Sequence, residues 1–226
     1  ITDLVSILYF QPDHITSYFG DGSAFGVNMQ YVTADADYGT AGAVRNAGDL
    51  ILDDRVIVIS GDVLTDFDLT AAIRSHEERG AEATIALTPV ENPLAFGIVI
   101  ADERTGKIER FLEKPTWGEV FSDTINTGIY ILEPEALRRV PAQTNVDFSR
   151  DLFPEMLRDG AGLYGYVARG YWRDIGNIDE YRVAHRDVLA GRVGLELPGR
   201  QQELGGGIIW ADEGAHTGEN VTVRGM

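Results

Sequence analysis

The sequence predicts an α/β fold in which a mixed, mainly parallel sheet is flanked by helices. The run Val56–Ile59 is β-branched and apolar throughout, which is typical of a strand buried on both faces in the middle of a parallel sheet. Strand patterns and helix patterns also alternate along the chain as far as Thr88, and this alternation indicates βαβ units.

The individual elements follow from local patterns. Apolar runs and apolar–polar alternation predict strands at 4–10, 27–31, 56–59, 83–88, 98–101, 107–112, 125–132, 163–167 and 171–175. Helical patterns predict helices at 13–19, 40–50, 69–79, 134–140, 149–158 and 178–190. Thr40 and Asn177 are expected as N-caps, and Gly20, Gly80 and Gly191 as the residues that follow helix ends.

Two segments depart from this alternation. The five-residue loop 102–106 ends on Gly106 and predicts a β-hairpin between the strands on either side of it. Near the end of the chain, Ile209, Ala215 and Val221 are spaced six residues apart. This period indicates coils of a parallel β-helix, with a disordered tail as the alternative. We therefore expect one domain at 1–190, followed at 191–226 by a linker and the first β-helix coils.

The composition limits the classes of function. A formal net charge of −17 argues against nucleic acid or an acidic membrane surface as a partner. The chain has no cysteine, which excludes thiolate metal sites. Because it has neither a signal-like N-terminus nor an 18-residue apolar run, we expect a soluble, cytoplasmic protein.

Two carboxylates occur near the ends of predicted strands. Asp62 follows the run Val56–Ile59, and Gly61 beside it has no side chain that would block a ligand. Asp174 lies near the end of another predicted strand and is followed by Gly176. Open α/β sheets bind ligands beyond the carboxyl ends of their strands, and two converging carboxylates suit a Mg²⁺ that bridges phosphate oxygens. The alternative for Asp62 is that it begins a turn.

Four further residues, three polar and one glycine, are candidate binding positions. Glu113 and Lys114 combine a hydroxyl acceptor with a point cation for phosphate, or form a surface ion pair before Pro115. Asn126 lies inside a strand pattern, where Asn is unfavourable, so it either binds sugar hydroxyls or belongs to a turn or bulge. Gly97 either starts a strand or lets a ligand approach the backbone.

Other motifs carry less information. Asp66-Phe67-Asp68 has the D-x-D spacing of sugar-nucleotide-dependent glycosyltransferases, but its place just before the helix at 69–79 favours N-capping. The sequence contains no G-x-x-x-x-G-K-[ST], G-x-S-x-G or H-E-x-x-H motif, and its four histidines lie far apart.

Six short motifs, taken in order, resemble the sugar-1-phosphate nucleotidylyltransferases, with mannose-1-phosphate guanylyltransferase (GDP-mannose pyrophosphorylase) as the nearest branch. They are Tyr38-Gly39-Thr40-Ala41-Gly42, Ser60-Gly61-Asp62, Phe96-Gly97, Phe111-Leu112-Glu113-Lys114-Pro115, Asn126-Thr127-Gly128-Ile129-Tyr130 and Trp172-Arg173-Asp174-Ile175-Gly176. The resemblance spans residues 1–189. It implies the Rossmann-like nucleotide-diphospho-sugar transferase fold and, for the tail, that branch's left-handed β-helix.

The resemblance also implies an activity. A nucleotidyl group passes from a nucleoside triphosphate, here GTP, to mannose-1-phosphate, and pyrophosphate is released. The alternatives are thymidylyl, uridylyl or adenylyl transfer to glucose-1-phosphate, and a catalytically inactive regulatory homologue that senses sugar nucleotides. Either kind of protein would have nucleotide and sugar-phosphate partners, and the choice between a monomer and a homo-oligomer stays open.

The same resemblance implies roles for individual residues. Asp62 and Asp174 hold the catalytic Mg²⁺, and Lys114 meets the sugar phosphate. The substrate-binding residues are Gly39 and Thr40 at the base and ribose, Gly61 beside the metal ligand, Glu113 and Asn126 at sugar hydroxyls, and Gly97 and Gly128 where backbone meets the sugar.

In one respect the chain departs from this family. The family's N-terminal strand, its Gly-rich loop with an Arg and its downstream Pro-Lys-Pro find no counterpart, and the chain opens on Ile1 inside an apolar run. We therefore expect a fragment that is inactive by itself. About 25–30 upstream residues, the length of one strand–loop–helix unit, would restore activity.

Overall fold

The computed structural model of the chain describes residues 1–90, 92–113, 116, 122, 124–212, 214–216, 218 and 222. The chain divides into two compact units. The first unit comprises residues 1–59 and 69–168, and the second comprises residues 60–68 and 169–226. In this division, the short segment 60–68 groups with the C-terminal part of the chain. The expected domains, 1–190 and 191–226, stay a prediction.

Most elements lie close to the predicted ones, but the strands at 63–65 and 200–204 were not predicted. The strands are β1 (Asp3–Leu8), β2 (Asn28–Thr33), β3 (Val56–Ile59), β4 (Val63–Thr65), β5 (Ala83–Pro89), β6 (Gly97–Ala101), β7 (Ile108–Glu113), β8 (Thr124–Leu132), β9 (Leu163–Val167), β10 (Trp172–Asp174), β11 (Arg200–Leu204) and β12 (Gly207–Ala211). The helices are α1 (Pro12–Phe19), α2 (Gly39–Arg45), α3 (Leu69–Arg79), α4 (Pro134–Arg138), α5 (Phe153–Arg158) and α6 (Ile178–Leu189). A π-helical turn, Phe148–Leu152, directly precedes α5.

The central sheet of the first unit has the order β7-β6-β8-β5-β9, and β3 also pairs with β8. The mixed α/β fold is confirmed. The strands β3, β5, β6 and β9 point in one direction, but most of the pairs that they form are antiparallel. β8 runs antiparallel to β3, β5 and β6, while β5–β9 is parallel and β1–β2 forms a separate parallel pair. The local sequence predicted the β6–β7 hairpin correctly. It did not predict that β8 would enter antiparallel between β5 and β6, because that pairing depends on strands distant along the chain.

The strand buried on both faces is β5 rather than β3. Residues 83–88 of β5 are all buried, and β5 lies between β8 and β9. The four residues of β3 are half-buried or exposed, and Ile59 keeps 42% of its surface accessible. An apolar run therefore predicted the strand correctly but not its depth in the sheet, which depends on the neighbours that pair with it.

An aromatic cluster packs on this sheet. The ring centroids of Tyr130 lie 4.8 Å from Phe148 and 5.0 Å from Phe153, and both phenylalanines are buried. Burying one such side chain stabilises the fold by about 1.5–3 kcal/mol. The cluster thus holds the π-helical turn and α5 against β8.

Of the six predicted helices, four are confirmed and two need correction. α1, α4 and α6 are present, and α3 has the predicted bounds. The Asn177 side chain caps α6 by accepting from the backbone N–H groups of Asp179 and Glu180. The assignment of Thr40 as an N-cap is wrong, because α2 already begins at Gly39, and α2 ends at Arg45 rather than at residue 50. The helix predicted at 149–158 is divided between the π-helical turn and α5.

The second unit contains β4, β10, α6 and the hairpin β11–β12. β4 pairs antiparallel with β10, and β11 pairs antiparallel with β12. The described part of the C-terminal segment is thus a hairpin; Val221 lies outside the described residues, and the start of a β-helix stays a prediction. Among the described residues, no helix is both long and apolar enough to cross a membrane.

Candidate functional site

In the second unit, the β4–β10 ladder brings Asp62 and Asp174 to adjacent positions, although they are 112 positions apart in sequence (174 − 62). Asp174 pairs with Val63, and the backbone N–H of Ile175 donates to the carbonyl oxygen of Asp62 over 2.8 Å. Asp62 is exposed in the turn before β4, and Asp174 is half-buried at the end of β10. Two carboxylates, the kind of oxygen group that a hard cation prefers, therefore come from directly paired segments.

Two glycines leave room beside these carboxylates. A Cβ atom built on Gly176 would lie 3.0 Å from Oδ1 of Asp174, which is tighter than ordinary van der Waals contact. A Cβ atom built on Gly61 would meet nothing within 4 Å. Glycine at 176 therefore lets the carboxylate keep its place, and glycine at 61 leaves open space next to Asp62.

The pair of aspartates does not form a closed protein site. Among the described residues, no group of three or more His, Asp or Glu side chains is arranged to hold a metal ion. Mg²⁺ commonly binds through one or two carboxylates plus substrate phosphates and water. The donor set present here fits that open kind of site and does not fit an all-protein cage.

Hydrogen bonds and ion pairs connect residues of β10 to α6 and to Arg192. The hydroxyl of Tyr171 donates to Oδ2 of Asp187 over 2.8 Å, and Arg192 donates to Oδ1 of the same carboxylate over 2.7 Å. Arg173 donates to the Tyr171 oxygen over 2.9 Å and forms an ion pair with Glu180. Burial raises the pKa of Asp187, but the bonds from Tyr171 and Arg192 outweigh it, so that this pKa lies below its usual value.

Asp66 connects the segment 60–68 to two later parts of the chain, and the sequence did not indicate this. Its Oδ1 accepts from the backbone N–H of Tyr171 over 2.6 Å, and its Oδ2 accepts from that of Gly194 over 2.7 Å. For Asp66, the N-cap interpretation of the D-x-D motif is therefore wrong, because both carboxylate oxygens bind backbone elsewhere. The D-x-D spacing alone gave no signal of these partners.

In the first unit, the small-residue loop packs against a segment that sequence reasoning missed. The backbone N–H groups of Ala41 and Gly42 both donate to the carbonyl oxygen of Val146, over 2.9 and 3.0 Å. Gly39 has φ +66°, and a Cβ there would lie 2.6 Å from that same oxygen. A Cβ at Gly42 would collide with the carbonyl oxygen of Thr144. Both glycines are thus required by close backbone packing, whatever else they bind.

The side chain of Thr40 belongs to the same contact. Its hydroxyl donates to Oδ2 of Asp147 over 3.0 Å and accepts from the backbone N–H of Phe148 over 3.0 Å. The other oxygen of Asp147 accepts from the N–H groups of Ser149 and Arg150, over 2.8 and 3.0 Å. Asp147 therefore caps the π-helical turn and fixes Thr40 at once.

The Asn126–Gly128 motif is a bulge in β8. The register between β5 and β8 shifts between Ile85 and Leu87, and Gly128 takes up the left-handed backbone with φ +76°. The Asn126 amide donates to the Tyr130 hydroxyl over 3.0 Å. It also donates to Ser149 Oγ over 3.1 Å, and its Oδ1 accepts from the Gly128 N–H over 3.0 Å. An amide oxygen can accept a second hydrogen bond, which leaves one acceptor position for a ligand.

The other predicted sugar-side positions lie on neighbouring strands. Gly97, at the buried start of β6, pairs with Glu113 at the end of β7, and Ile98 pairs with Ile125, the residue before Asn126. Three strands, β7, β6 and β8, thus carry these positions side by side. Lys114 lies outside the described residues, and of Glu113 the structure describes the backbone alone.

Comparison with known proteins gives consistent matches. Residues 1–191 match the family model described as nucleotidyl transferase. A UTP–glucose-1-phosphate uridylyltransferase from Synechocystis sp. is 36% identical over 226 residues, which cover 94% of this chain and 56% of that protein. A mannose-1-phosphate guanylyltransferase from Mycobacterium tuberculosis is 36% identical over 183 residues, which cover 80% of this chain and 50% of that protein.

The chain therefore spans about half the length of these two curated relatives. A solved structure of a UDP-glucose pyrophosphorylase in complex with UDP-glucose superposes with a TM-score of 0.70 at 19% identity. The superposition covers 84% of this chain and 82% of the other, and at this identity the likeness concerns the fold.

Proposed function

Because the chain belongs to the nucleotidyl transferase family, we propose that the full-length gene product transfers a nucleotidyl group from a nucleoside triphosphate to a sugar-1-phosphate. The observation that carries the proposal is the pairing of β4 with β10, which sets Asp62 and Asp174 next to each other. Two carboxylates in an open turn region suit a metal that is shared with phosphates.

We propose GTP and mannose-1-phosphate as the substrates. The loop Gly39-Thr40-Ala41-Gly42 favours the guanylyl branch, and one relative at 36% identity is named a mannose-1-phosphate guanylyltransferase. Uridylyl transfer to glucose-1-phosphate is the second candidate, because a relative of equal identity is named for that reaction. A non-catalytic sensor is less favoured, since a sensor could dispense with the pair Asp62 and Asp174.

The reaction that we propose needs no covalent enzyme intermediate. An oxygen of the sugar-1-phosphate attacks the α-phosphorus of the nucleotide in line, a new P–O bond forms, and the bond to the β-phosphate oxygen breaks as pyrophosphate leaves. Such chemistry depends on positioning and on charge neutralisation. This agrees with a sequence that has no nucleophile motif.

The chain's own residues would supply the positioning. Gly39 and Thr40 would lie against the base and ribose, and the free acceptor position of Asn126 would bind a sugar hydroxyl. Glu113 would bind another sugar hydroxyl, the backbone at Gly97 and Gly128 would approach the sugar, and Lys114 would meet its phosphate. Gly61 would leave room for the substrate.

Asp62 and Asp174 would hold Mg²⁺. When bound, the ion would neutralise negative charge on the phosphates, which a protein of net charge −17 otherwise repels.

A substrate matrix tests this proposal. The full-length gene product is incubated with Mg²⁺, one of four nucleoside triphosphates, and either mannose-1-phosphate or glucose-1-phosphate, and pyrophosphate release is measured. We expect the highest kcat/KM for GTP with mannose-1-phosphate. A preference for UTP with glucose-1-phosphate would select the second candidate. Nucleotide-sugar binding without pyrophosphate release from any pair would indicate a sensor.

A further inference from the structure

A path of hydrogen bonds, two between side chains and one to a backbone N–H, runs in the first unit from the Gly39–Thr40 loop to the bulge in β8. It runs from the Thr40 hydroxyl to Asp147, from Asp147 to the backbone N–H of Ser149, and from Ser149 Oγ to the Asn126 amide. Thr40 and Asp147 are 107 positions apart in sequence, and Asn126 and Ser149 are 23 apart. Four residues thus connect two segments that are distant along the chain.

This path is additional to the bonds that anchor the segment itself. The backbone N–H of Val146 donates to Tyr38, and the carbonyl of Val146 accepts from Ala41 and Gly42. Buried Phe148 fixes the following turn in the core. The segment 146–148 thus has backbone and core contacts besides the polar path, and the path adds a connection to Asn126 that those contacts do not provide.

The two ends of the path lie at the positions proposed for the two substrates. Thr40 belongs to the loop proposed for the nucleotide, and Asn126 belongs to the bulge proposed for the sugar. Ser149 Oγ takes one of the two N–H donors of the Asn126 amide, and Tyr130 takes the other. Together they orient the amide so that its oxygen faces the Gly128 N–H and retains one acceptor position.

We propose that Asp147 and Ser149 are positioning residues that couple the nucleotide-side loop to the sugar-side bulge, an inference that rests on the proposed function. Neither residue is proposed to touch a substrate. Because the two ends are connected, ordering one of them lowers the free-energy cost of ordering the other. Such coupling is reciprocal. Binding of the nucleotide would thereby prepare the amide of Asn126 for the sugar phosphate.

Two single variants cut the path at its ends. Ser149→Ala removes the acceptor for the Asn126 amide and keeps the backbone N–H that Asp147 caps. Thr40→Val removes the hydroxyl and keeps the side-chain shape. Each should raise the KM of the substrate nearest to it by about 2- to 10-fold, the range expected for loss of one hydrogen bond. Each should also raise the KM of the other substrate by a smaller factor.

The double variant separates coupling from two local effects. Because either change already breaks the path, Thr40→Val with Ser149→Ala should lower kcat/KM by at least threefold less than the product of the two single effects. Asp102→Ala is a matched control, since Asp102 accepts from the N–H and the hydroxyl of Thr105 in the β6–β7 turn. Its effect should multiply with that of Ser149→Ala.

A conservative substitution distinguishes positioning from bulk. Asn at 147 keeps an oxygen for the N–H groups of Ser149 and Arg150, and its amide can donate to the Thr40 oxygen. Asp147→Asn should therefore retain most of the wild-type KM values, whereas Asp147→Ala should show the same KM defects as the end variants. Equal defects in both would contradict the positioning role.

Amide hydrogen exchange of the substrate-free full-length protein tests the coupling independently of activity. We expect Thr40→Val to speed amide exchange within 124–130, and Ser149→Ala to speed it within 38–42, while Asp102→Ala changes neither. Exchange changes confined to the segment next to each substitution, or multiplicative kinetic effects, would overturn the proposal. Coupled exchange in a protein that releases no pyrophosphate from any substrate pair would instead refute the proposed function.

Discussion

The turn at Gly61-Asp62 and the bulge at Asn126–Gly128 show the same signal in sequence, a polar residue beside a glycine at a strand. In the bulge, Gly128 is required by its backbone, with φ +76°, and Asn126 makes three internal hydrogen bonds. In the turn, Gly61 has no positive φ, a Cβ on it would meet nothing, and Asp62 is exposed. One glycine shapes the backbone, and the other leaves space.

The difference separates two physical causes behind one pattern. A glycine needed for backbone geometry contributes to stability, whereas a glycine that only leaves space should be neutral for folding and matter to a ligand. The predictions below test whether the two sites respond in these different ways.

The largest effect is expected at the open site. Asp174→Asn removes a charged oxygen while preserving the size of the side chain. Loss of a residue that only hydrogen-bonds to a metal ligand lowers activity by about 10- to 100-fold. Loss of a proposed ligand should therefore lower kcat/KM at fixed Mg²⁺ by about 100-fold or more. The thermal midpoint should change little, and Mg²⁺ titration should show a raised half-saturation concentration. Asp179→Asn, at an exposed carboxylate on α6, is the control. If Asp174→Asn is as active as Asp179→Asn, Asp174 does not bind the metal.

A large effect is also expected on the sugar side. Lys114→Ala should lower kcat/KM for the sugar phosphate by about 10- to 150-fold, because a charge-assisted hydrogen bond contributes about 1.5–3 kcal/mol. The kcat/KM for the nucleotide should fall less. Lys107→Ala removes an exposed lysine just before β7 and serves as the matched control. If the sugar-phosphate kinetics of Lys114→Ala match those of the control, Lys114 is a surface residue.

The comparison itself is tested by two glycine substitutions. Gly128→Ala should lower the free energy of unfolding by about 1–2 kcal/mol, because a Cβ is strained in the left-handed region. Gly61→Ala should leave that free energy within about 0.5 kcal/mol of wild type and lower kcat/KM instead. Denaturant unfolding and steady-state kinetics measure the two outcomes. Similar losses of unfolding free energy in the two variants would contradict the proposed difference between Gly61 and Gly128.

The smallest effect concerns acid. The pKa of Asp187 is depressed in the folded protein, so its contribution to stability is present above the usual value of 3.8 and is lost as pH falls through the depressed value. The difference in thermal midpoint between wild type and Asp187→Asn should therefore be largest near neutral pH and shrink in strong acid. The Asn126 bulge has no carboxylate, and Gly128→Ala should show a constant deficit. A pH-independent Asp187→Asn deficit would contradict the assignment.

Local patterns predicted much of the fold. The bounds of α3, the β6–β7 hairpin and the Asn177 cap are encoded within a few neighbouring residues, and they are confirmed. The motifs also predicted the family, which the match over residues 1–191 confirms. The roles of individual residues at the substrates and metal remain predictions.

What the sequence could not predict depends on partners distant along the chain. The depth of β5 relative to β3 is set by which strands flank each one. The contact of Gly39 and Gly42 with residues 144–146 involves backbone atoms, which carry no residue-specific signal. Asp66 looked like a helix cap because its actual partners, Tyr171 and Gly194, lie more than 100 positions away.

The pairing of β4 with β10 has a consequence for the order in which the protein is made. Asp62 leaves the ribosome 112 residues before Asp174 (174 − 62), a delay of about 6–22 s at synthesis rates of roughly 5–20 residues per second. Until then, the segment 60–68 has neither its strand partner nor the backbone groups that bind Asp66. The nascent first unit can assemble its sheet during this interval, but β4 can pair with β10 only after residues 172–175 have emerged.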